Sequence, residues 1–417
     1  MATATAKAPK APKAPKAPAP PKLAAKPAVR PSAAVDFTVD RDALRELVDA
    51  ARTVAKGGHM PITTYVRLAW TPDTLTASAT DLVISYRSSR PCVASKPGDV
   101  CVPAAFFAGI IASMPRGDLS VSVDPVTLRV SLKSAGARTA SAIGGVSSQD
   151  FPAILTASES RGAPLTLPCA TLRDVLAVVA HAMMADDARP HLSGTYLDVR
   201  PTMIRAVATD GKRLAIAERA IPAHGKTFSG VIVPRAFLDR VRAYLDAEGN
   251  ATLMIGRASD PIGLTLPDGS EWTTKSVDAA YPSYEQAVPQ SWAGTITVAR
   301  SALIDAVRAC AIGGGESGVR LRPAETSLAI ETRGEAEALV TDAVDALCDG
   351  DLPAIIEVPG PQLAQSLSAL SCESVEIRLT GELDPLMVVP SIIGADGAPV
   401  PDTDRAVIMP MRPIGGG

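Results

Sequence analysis

The residue types that carry enzyme chemistry occur in this 417-residue sequence, but they are not spaced for it. The best phosphate-cradling candidate is Gly313–Gly318 (GGGESG), which lacks the Gly-Lys-Ser/Thr ending of a P-loop and follows a predicted helix, not a strand. The paired carboxylates Asp186 and Asp187 are interpreted as a polar loop before a strand, and no GxSxG or HExxH motif occurs. We predict a non-catalytic protein. An enzyme remains the alternative, which hydrolysis of ATP or DNA by the purified protein would revive.

The cysteines and histidines are also unsuited to a metal centre. Six cysteines and four histidines are dispersed along the chain without a CxxC pair, so we expect reduced, mostly buried thiols, no metal site and no cofactor. The sequence has no run of about 18 apolar residues and no secretory signal, which predicts a cytoplasmic protein. The cysteines are Cys92, Cys101, Cys169, Cys310, Cys348 and Cys372.

Charge is divided unevenly along the chain. Residues 1–35 repeat Ala, Pro and Lys and contain seven basic residues and no acid, so the remainder carries −10 although the net charge is −3. This composition predicts a disordered extension that aids solubility, and a weak electrostatic contact with DNA is the alternative. The acidic remainder could contact nucleic acid only if its basic residues were gathered on one surface.

A helix predicted near the start of the acidic part gathers basic residues in this way. Arg41, Arg45, Arg52 and Lys56 lie 4, 7 and 4 residues apart, which places them in one sector of a helix beside an apolar stripe. Similar spacing recurs in two later predicted helices, and ordinary solvated arginines are the alternative interpretation. The later pairs are Arg235 with Arg242 and Arg300 with Arg308.

The elements that position these residues recur three times. A strand leading into a helix occurs as FTVDRDAL (37–44), LTLPCATL (165–172) and ITVARSAL (296–303). A second helix preceded by Val-Pro begins near 102, 233 and 358, in the same order and at similar spacing. Short runs of β-type sequence separate the two markers. We predict an α+β fold of three tandem domains at 36–163, 164–293 and 294–417, with antiparallel sheets backing paired helices.

The second repeat contains the most specific motif, RPHLSG (189–194) followed by VATDGKRLA (207–215). Together with SATDLVIS (78–85), YPSY (281–284) and the terminal VIMPMR (407–412), it closely resembles the bacterial DNA sliding clamp, the β subunit of DNA polymerase III. The resemblance covers about 36–412. It implies a ring-forming homodimer that encircles duplex DNA as a processivity factor, with sheets outside and helices facing the hole.

The resemblance also implies an apolar groove, framed by the ATDG-like turn and the C-terminal run, that takes short peptides from the polymerase, the clamp loader and repair proteins. Methionines suit a site that accepts several related peptides, because they repack at low cost. Carried over by position, the groove comprises Leu192, Thr209, Gly211, Lys212, Arg213, Leu214, Pro282, Leu383, Pro385, Ile408, Met409, Pro410, Met411 and Arg412.

This chain departs from the family pattern around that groove. The family commonly has His at Lys212, a basic residue at Gln286 and a larger apolar residue at Ala287, and it usually ends in Leu where Pro413 stands here.

The resemblance implies sequence-independent contacts with DNA phosphates. The candidates are Arg41, Arg45, Arg52, Lys56, His59, Arg189, Arg235, Arg242, Arg300 and Arg308. A second hypothesis keeps the ring but assigns it to a clamp paralogue that serves a mobile element or withstands a clamp-directed inhibitor. Gene neighbourhood would separate that paralogue from the housekeeping clamp.

Overall fold

The computed structural model of the protein describes residues 35–57, 60–134, 139–160, 162–185, 189–224, 228–246, 248–256, 260–314, 318–333, 339–392 and 403–412. The predicted extension before Val35, the candidate His59, the Asp186–Asp187 pair, part of the GGGESG run and the residues after Arg412 lie outside these ranges.

Strands and helices follow the same order three times, except that the first series has one additional two-residue strand, Val93–Ala94. The first series is β1 (Val35–Asp40), α1 (Arg41–Val54), β2 (Tyr65–Trp70), β3 (Thr74–Thr80), β4 (Ile84–Pro91), β5 (Val93–Ala94), β6 (Gly98–Pro103), α2 (Ala104–Ser113), β7 (Asp118–Val123), β8 (Arg129–Ser134) and β9 (Ala140–Gly144). The second is β10 (Ala163–Pro168), α3 (Cys169–Val179), β11 (Gly194–Arg200), β12 (Met203–Thr209), β13 (Arg213–Ala220), β14 (Phe228–Pro234), α4 (Arg235–Val241), β15 (Asn250–Ile255), β16 (Pro261–Thr265) and β17 (Glu271–Lys275). The third is β18 (Gly294–Ala299), α5 (Arg300–Gly314), β19 (Val319–Ala324), β20 (Ser327–Arg333), β21 (Leu339–Gly350), β22 (Ile356–Val358), α6 (Gly360–Ala369), β23 (Ser374–Leu379), β24 (Leu386–Pro390) and β25 (Asp404–Ile408).

The first helix forms where the sequence predicts it. The Asp40 carboxylate accepts hydrogen bonds from the backbone N–H groups of Asp42 and Ala43 at 2.9 and 3.0 Å, which caps α1. Its apolar stripe, which includes Leu44, Leu47 and other residues at helical spacing, is fully buried. Helices α2, α4 and α6 each begin immediately after or one residue after a proline.

Two sheets cross from one repeat to the next. The strand after the first hairpin, β4, pairs antiparallel with β17, and its counterpart β13 pairs antiparallel with β25. The resulting sheets have eight and twelve strands, and a third sheet has the order β5-β1-β7-β8-β9. Helices pack on these sheets, with α1 against α2 and α5 against α6. The α+β prediction is confirmed, while the exact domain bounds at 163/164 and 293/294 stay a prediction.

Candidate functional site

A tight hairpin between β12 and β13 forms one side of the site. The Asp210 carboxylate accepts hydrogen bonds from the backbone N–H groups of Lys212 and Arg213 at 2.9 and 3.0 Å. Gly211 has φ +87°, a conformation that glycine adopts without strain. Thr209 closes the turn, because its hydroxyl donates to the Arg213 carbonyl at 2.6 Å. The turn therefore fixes the Lys212 backbone at the rim of the site.

The C-terminal strand β25 lies along this hairpin. Leu214 pairs with Val407, and the Met409 backbone N–H continues the ladder by donating to the Lys212 carbonyl at 3.0 Å. The alternation of a strand sends successive side chains to opposite faces. Val407 and Met409 therefore face the same side as Leu214, whereas Ile408 points into the core of the third repeat.

The segment from Tyr281 to Val288 forms the opposite wall. Tyr281 stacks on Tyr196 with ring centroids 4.8 Å apart, and its hydroxyl donates to the Val207 carbonyl. Tyr284 is 8% exposed, and its hydroxyl accepts a hydrogen bond from Arg205 Nη1 at 3.1 Å. Burial raises the pKa values of both tyrosines, so their hydroxyls stay neutral.

These three segments enclose a cavity of about 230 Å³, here called the junction groove. Its floor is buried and apolar, whereas Met409 is 43% exposed at the edge. An apolar cavity with a few polar groups at its rim suits a short peptide or a small ligand. The lining residues are Leu192, Thr209, Gly211, Lys212, Arg213, Leu214, Pro282, Ser283, Tyr284, Ala287, Val407 and Met409.

Eight of the residues carried over from the resemblance line the junction groove, and six do not. Ile408 is fully buried in the core, so it supports β25 and has no surface to offer a ligand. Met411 lies further along, where its N–H donates to the Glu357 carbonyl at 2.7 Å. Leu383 is 56% exposed in a separate loop. The remaining residues outside the cavity are Pro385, Pro410 and Arg412.

The residues carried over from the resemblance did not include the lining residues Ser283, Tyr284, Ala287 and Val407, although Ala287 was noted as a departure from the family pattern. The signal for Tyr284 was present, because it belongs to the YPSY motif from which only Pro282 was chosen. Val407 has the same strand parity as Met409, so the alternation of β25 identifies it once the strand is known.

The matching junction between the first and second repeats has no such apolar lining. Thr80, Ser85 and Thr273 occupy the positions of Thr209, Leu214 and Val407, and all three are at most 2% exposed. Ser85 donates to the Thr80 hydroxyl at 3.0 Å, and Thr273 donates to the Leu155 carbonyl at 2.7 Å. Small hydrogen-bonded side chains thus replace the apolar floor, which explains why the groove belongs to the second junction.

Charged groups beneath the junction groove are held in fixed positions. Arg213 donates from Nε to Asp210 at 3.1 Å and from Nη1 to the Gln365 side chain on α6 at 2.7 Å. Burial lowers the pKa of Arg213, partly offset by Asp210, and leaves it a cation. Nearby, His181 Nε2 lies 3.0 Å from the Ser366 hydroxyl and joins the short turn after α3 to α6.

Stability should fall in mild acid because of His181. Burial, followed by the charge of Arg213, lowers the pKa of His181 to about 4. The unfolded state binds a proton near the ordinary pKa of about 6.5, so stability is full above that value and decreases as the pH falls toward 4. We expect a loss of roughly 1–2 kcal/mol at pH 5. Thermal unfolding between pH 7.5 and 5 should show a smaller decrease for His181→Gln than for wild type. An equal decrease in both proteins would contradict this role, with His224→Gln as the control.

Two arginines predicted to contact phosphate donate hydrogen bonds to carbonyls at the ends of helices. Arg41 is 7% exposed, forms an ion pair with Asp42 and donates to the Ala112 carbonyl at the end of α2. Arg300 donates to the Cys372 carbonyl at 2.7 Å and to the Leu367 carbonyl of α6 at 3.4 Å. A cation at a helix C-terminus satisfies carbonyls that have no partner within the helix.

Arg235 also contacts the backbone, since its Nη1 donates to the Met183 and Met184 carbonyls, in the loop after α3, at 3.3 Å. The remaining described candidates, Arg45, Arg52, Lys56, Arg189, Arg242 and Arg308, are exposed. Arg45 and Arg52 both pair with Asp49 at 3.2 Å, an exposed contact of small energy. Arg189 lies beside the Gly211 turn and so belongs near the junction groove.

The cysteines are free thiols, and four of them are buried. Within the described ranges, no three His, Cys, Asp or Glu side chains are grouped so that they could hold a metal ion. No helix in that part of the chain is long and apolar enough to cross a membrane.

Two family profiles match the chain. The one for "DNA polymerase III beta subunit, N-terminal domain" matches residues 35–155, and the one for "DNA polymerase III beta subunit, central domain" matches residues 166–283. The beta sliding clamp of Pseudomonas putida is 30% identical over 305 residues, covering 71% of this chain and 80% of that protein. The beta sliding clamp of Proteus mirabilis is 27% identical over 385 residues, covering 90% of this chain and 99% of that protein.

Solved structures show the same fold. The DNA polymerase III subunit beta of Pseudomonas aeruginosa superposes with a TM-score of 0.81 at 25% identity, covering 90% of this chain and all of that one. A sliding clamp from the same organism bound to griselimycin gives a TM-score of 0.81 at 24% identity, covering 91% of this chain and 100% of that one.

Proposed function

The chain belongs to the family of DNA polymerase III beta subunits, the beta sliding clamps, and from that premise we propose how its residues hold DNA and partners. As a sliding clamp it is a processivity factor, a homodimeric ring that encircles duplex DNA and tethers the replicative polymerase. The relatives do not favour the alternative role in a mobile element or in inhibitor resistance. The family role is non-catalytic. We propose that this chain likewise has no enzymatic activity and works in the cytoplasm, where bacterial chromosomes are replicated.

We propose that the junction groove binds short peptide segments of the polymerase, the clamp loader and repair proteins. The apolar cavity with Met409 at its edge is the observation that carries this proposal. A relative that binds griselimycin supports a ligand site in this fold. Lys212 is exposed at the rim where the family commonly has His, so a flexible primary amine replaces an imidazole ring there.

For DNA, we propose that Arg45, Arg52 and Lys56, on the solvent-exposed face of α1, make the phosphate contacts together with Arg242 and Arg308. These side chains are exposed, whereas Arg41, Arg235 and Arg300 donate hydrogen bonds to backbone carbonyls. Contacts of this type are weak and screened by salt. Retention on DNA should therefore depend on ring closure.

Loading onto circular DNA tests this function. Clamps loaded on a nicked circle should survive washing at high salt and be released when the circle is cut, because a closed ring is held topologically. The variant Arg52→Gln/Lys56→Gln should bind short linear duplexes with a log affinity against log salt slope reduced by about 2. Its retention on circles should be unchanged. Tight, sequence-specific binding to a short linear fragment would contradict the topological mechanism.

We propose that the ring closes by repeating the two junctions seen within the chain. In each, the strand after a hairpin (β4 or β13) pairs with the last strand of the next repeat (β17 or β25). In the third repeat β21 follows the hairpin, and Leu339 and Ala343 are exposed on it. In the first repeat β9 is the last strand of its sheet. The first repeat of one copy would then meet the third repeat of the other.

The register of this contact follows from the repeat. Ser85 pairs with Thr273 within the chain. Leu339 is the first paired residue of β21 after its hairpin, as Ser85 is in β4, so the two residues correspond. Ala142 pairs with Ser131 of β8 as Thr273 pairs with Gly263 of β16, so Ala142 corresponds to Thr273. We therefore propose that Leu339 of one copy lies opposite Ala142 of the other, which covers two sheet edges that no strand of the described residues pairs.

The helix layer supports the same closure. Helix α4 meets α1 through Arg240, whose Nε donates to the Thr53 carbonyl at 3.0 Å, and α6 meets α3 through His181 and Ser366. In the aligned motifs VPAAFF and VPRAFL, Phe106 of α2 corresponds to Phe237 of α4. Phe237 is 2% exposed, whereas Phe106 is 75% exposed. We propose that Phe106 packs against α5 of the second copy.

A further inference from the structure

Tyr284 is the aromatic wall of the junction groove, yet it lies on a short turn, Tyr284–Ala287, and not in a sheet. Its neighbours Ser283, Gln286 and Ala287 are exposed, whereas its ring packs into a buried apolar cluster and lies 6.3 Å from the ring of Tyr281. At its polar end, the hydroxyl accepts the 3.1 Å hydrogen bond that Arg205 Nη1 donates.

Arg205 is itself held in place by Glu218. The two residues are directly opposed on β12 and β13, and Arg205 Nε donates to Glu218 Oε1 at 2.8 Å. Both side chains are 17% exposed, so solvent screens this pair less than a surface pair. Because Nε and Nη1 belong to one planar guanidinium, the contact with Glu218 also sets the direction in which Nη1 points.

The same carboxylate reaches across to the third repeat. Glu218 Oε1 accepts a second hydrogen bond from Arg405 Nη2 on β25 at 2.7 Å. Beside it, Arg219 forms an ion pair with Asp404. The position of Tyr284 is thus connected, through Arg205 and Glu218, to the strand that contributes Val407 and Met409 to the opposite side of the groove.

We propose that Arg205 is a positioning residue for peptide binding. It orients Tyr284 and so sets the position of that wall of the junction groove relative to β25. Stapling of β12 to β13 is a weak alternative reason for these charges, because a half-buried ion network adds little stability over apolar residues of similar size. Orientation of Tyr284 requires arginine, because one planar guanidinium donates both to the Glu218 carboxylate and to the tyrosine hydroxyl. The inference rests on the proposed peptide-binding function of the junction groove.

A double-mutant cycle on the full-length protein tests it, with a polymerase C-terminal peptide as the probe. Arg205→Met and Tyr284→Phe should each weaken binding by about tenfold, the size of one charged hydrogen bond, and the double variant should be no weaker than either. Arg205→Lys should not restore binding, because one ammonium on a flexible stem cannot hold both partners in the fixed geometry of the guanidinium.

The matched control is Arg322→Met, which removes a similar contact, Nε to Glu331 Oε1 at 2.9 Å, away from the groove. It should leave peptide affinity unchanged. Additive effects of Arg205→Met and Tyr284→Phe, or unchanged affinity in Tyr284→Phe, would overturn the positioning role. Met409→Ala separates the two proposals. If neither Met409→Ala nor Arg205→Met weakens peptide binding, the groove is not the peptide site. If Met409→Ala weakens binding and Arg205→Met does not, only the positioning role of Arg205 is rejected.

Discussion

The variant Phe106→Glu is expected to have the mass of the single 43.0 kDa chain at concentrations where the wild-type protein is a dimer of twice that mass. Phe106 is 75% exposed in the single chain, and its counterpart Phe237 is buried at an intrachain junction. Placing a carboxylate in the corresponding interchain contact would bury an unpaired charge. We expect dimerisation to weaken by about 3 kcal/mol or more, at least roughly 100-fold. Light scattering at micromolar concentration measures the mass.

The chain offers a matched control for this substitution. Val126 is 71% exposed on the turn between β7 and β8, so Val126→Glu adds the same charge to a comparable apolar surface. That variant should remain a dimer. Leu339→Glu, at the edge of β21 that no other described strand pairs, should dissociate like Phe106→Glu, and both should lose retention on circular DNA. A stable dimer in both variants would show that the ring closes through other surfaces.

Repeat detection predicted the architecture because the first strand-helix unit and the Val-Pro helix recur in the sequence itself. The helix stripe of α1 was equally visible, since Leu44 and Leu47 follow helical spacing. The pairings of β4 with β17 and of β13 with β25 join residues nearly 190 positions apart. Local patterns carry no information about such distant partners.

The arginines predicted to contact DNA show what the sequence alone could not predict. The spacing of Arg41 on α1 placed it correctly beside the apolar stripe, but only the fold shows that the end of α2 lies within its reach. Arg300 has the same position in the third repeat and likewise donates to a carbonyl near the end of a helix, so the two residues share a structural contact as well as a place in the repeat. Recurrence alone cannot distinguish a shared structural role from a shared ligand.

At the groove, the resemblance supplied the hairpin residues, because the turn motif fixes their geometry. It was less informative about the C-terminal run, where all five residues from Ile408 to Arg412 were chosen together. In the structure only Met409 of these five lines the groove, because Ile408 points to the opposite face of β25 and Met411 donates a hydrogen bond to the Glu357 carbonyl. A motif that is transferred as a whole does not show which of its residues face the groove.

That division gives the second large expected effect. Met409→Ala should weaken binding of a polymerase C-terminal peptide by about 1–3 kcal/mol, roughly 5- to 150-fold, because Met409 provides apolar contact area at the edge of the cavity. Met411→Ala removes the same side chain two residues later. It should change affinity by less than about twofold, because Met411 does not line the junction groove.

Titration of the peptide against wild type and both variants, with dimer mass measured in parallel, makes the comparison direct. Both substitutions delete the same atoms from the same segment, so a general loss of order at the C-terminus would affect them equally. A selective loss in Met409→Ala places the peptide in the cavity between the β12–β13 hairpin and the Tyr284 wall. Loss in Met411→Ala alone would instead place the peptide beyond β25, against the strand that carries Glu357, and equal affinity in all three proteins would remove the C-terminal run from the partner site.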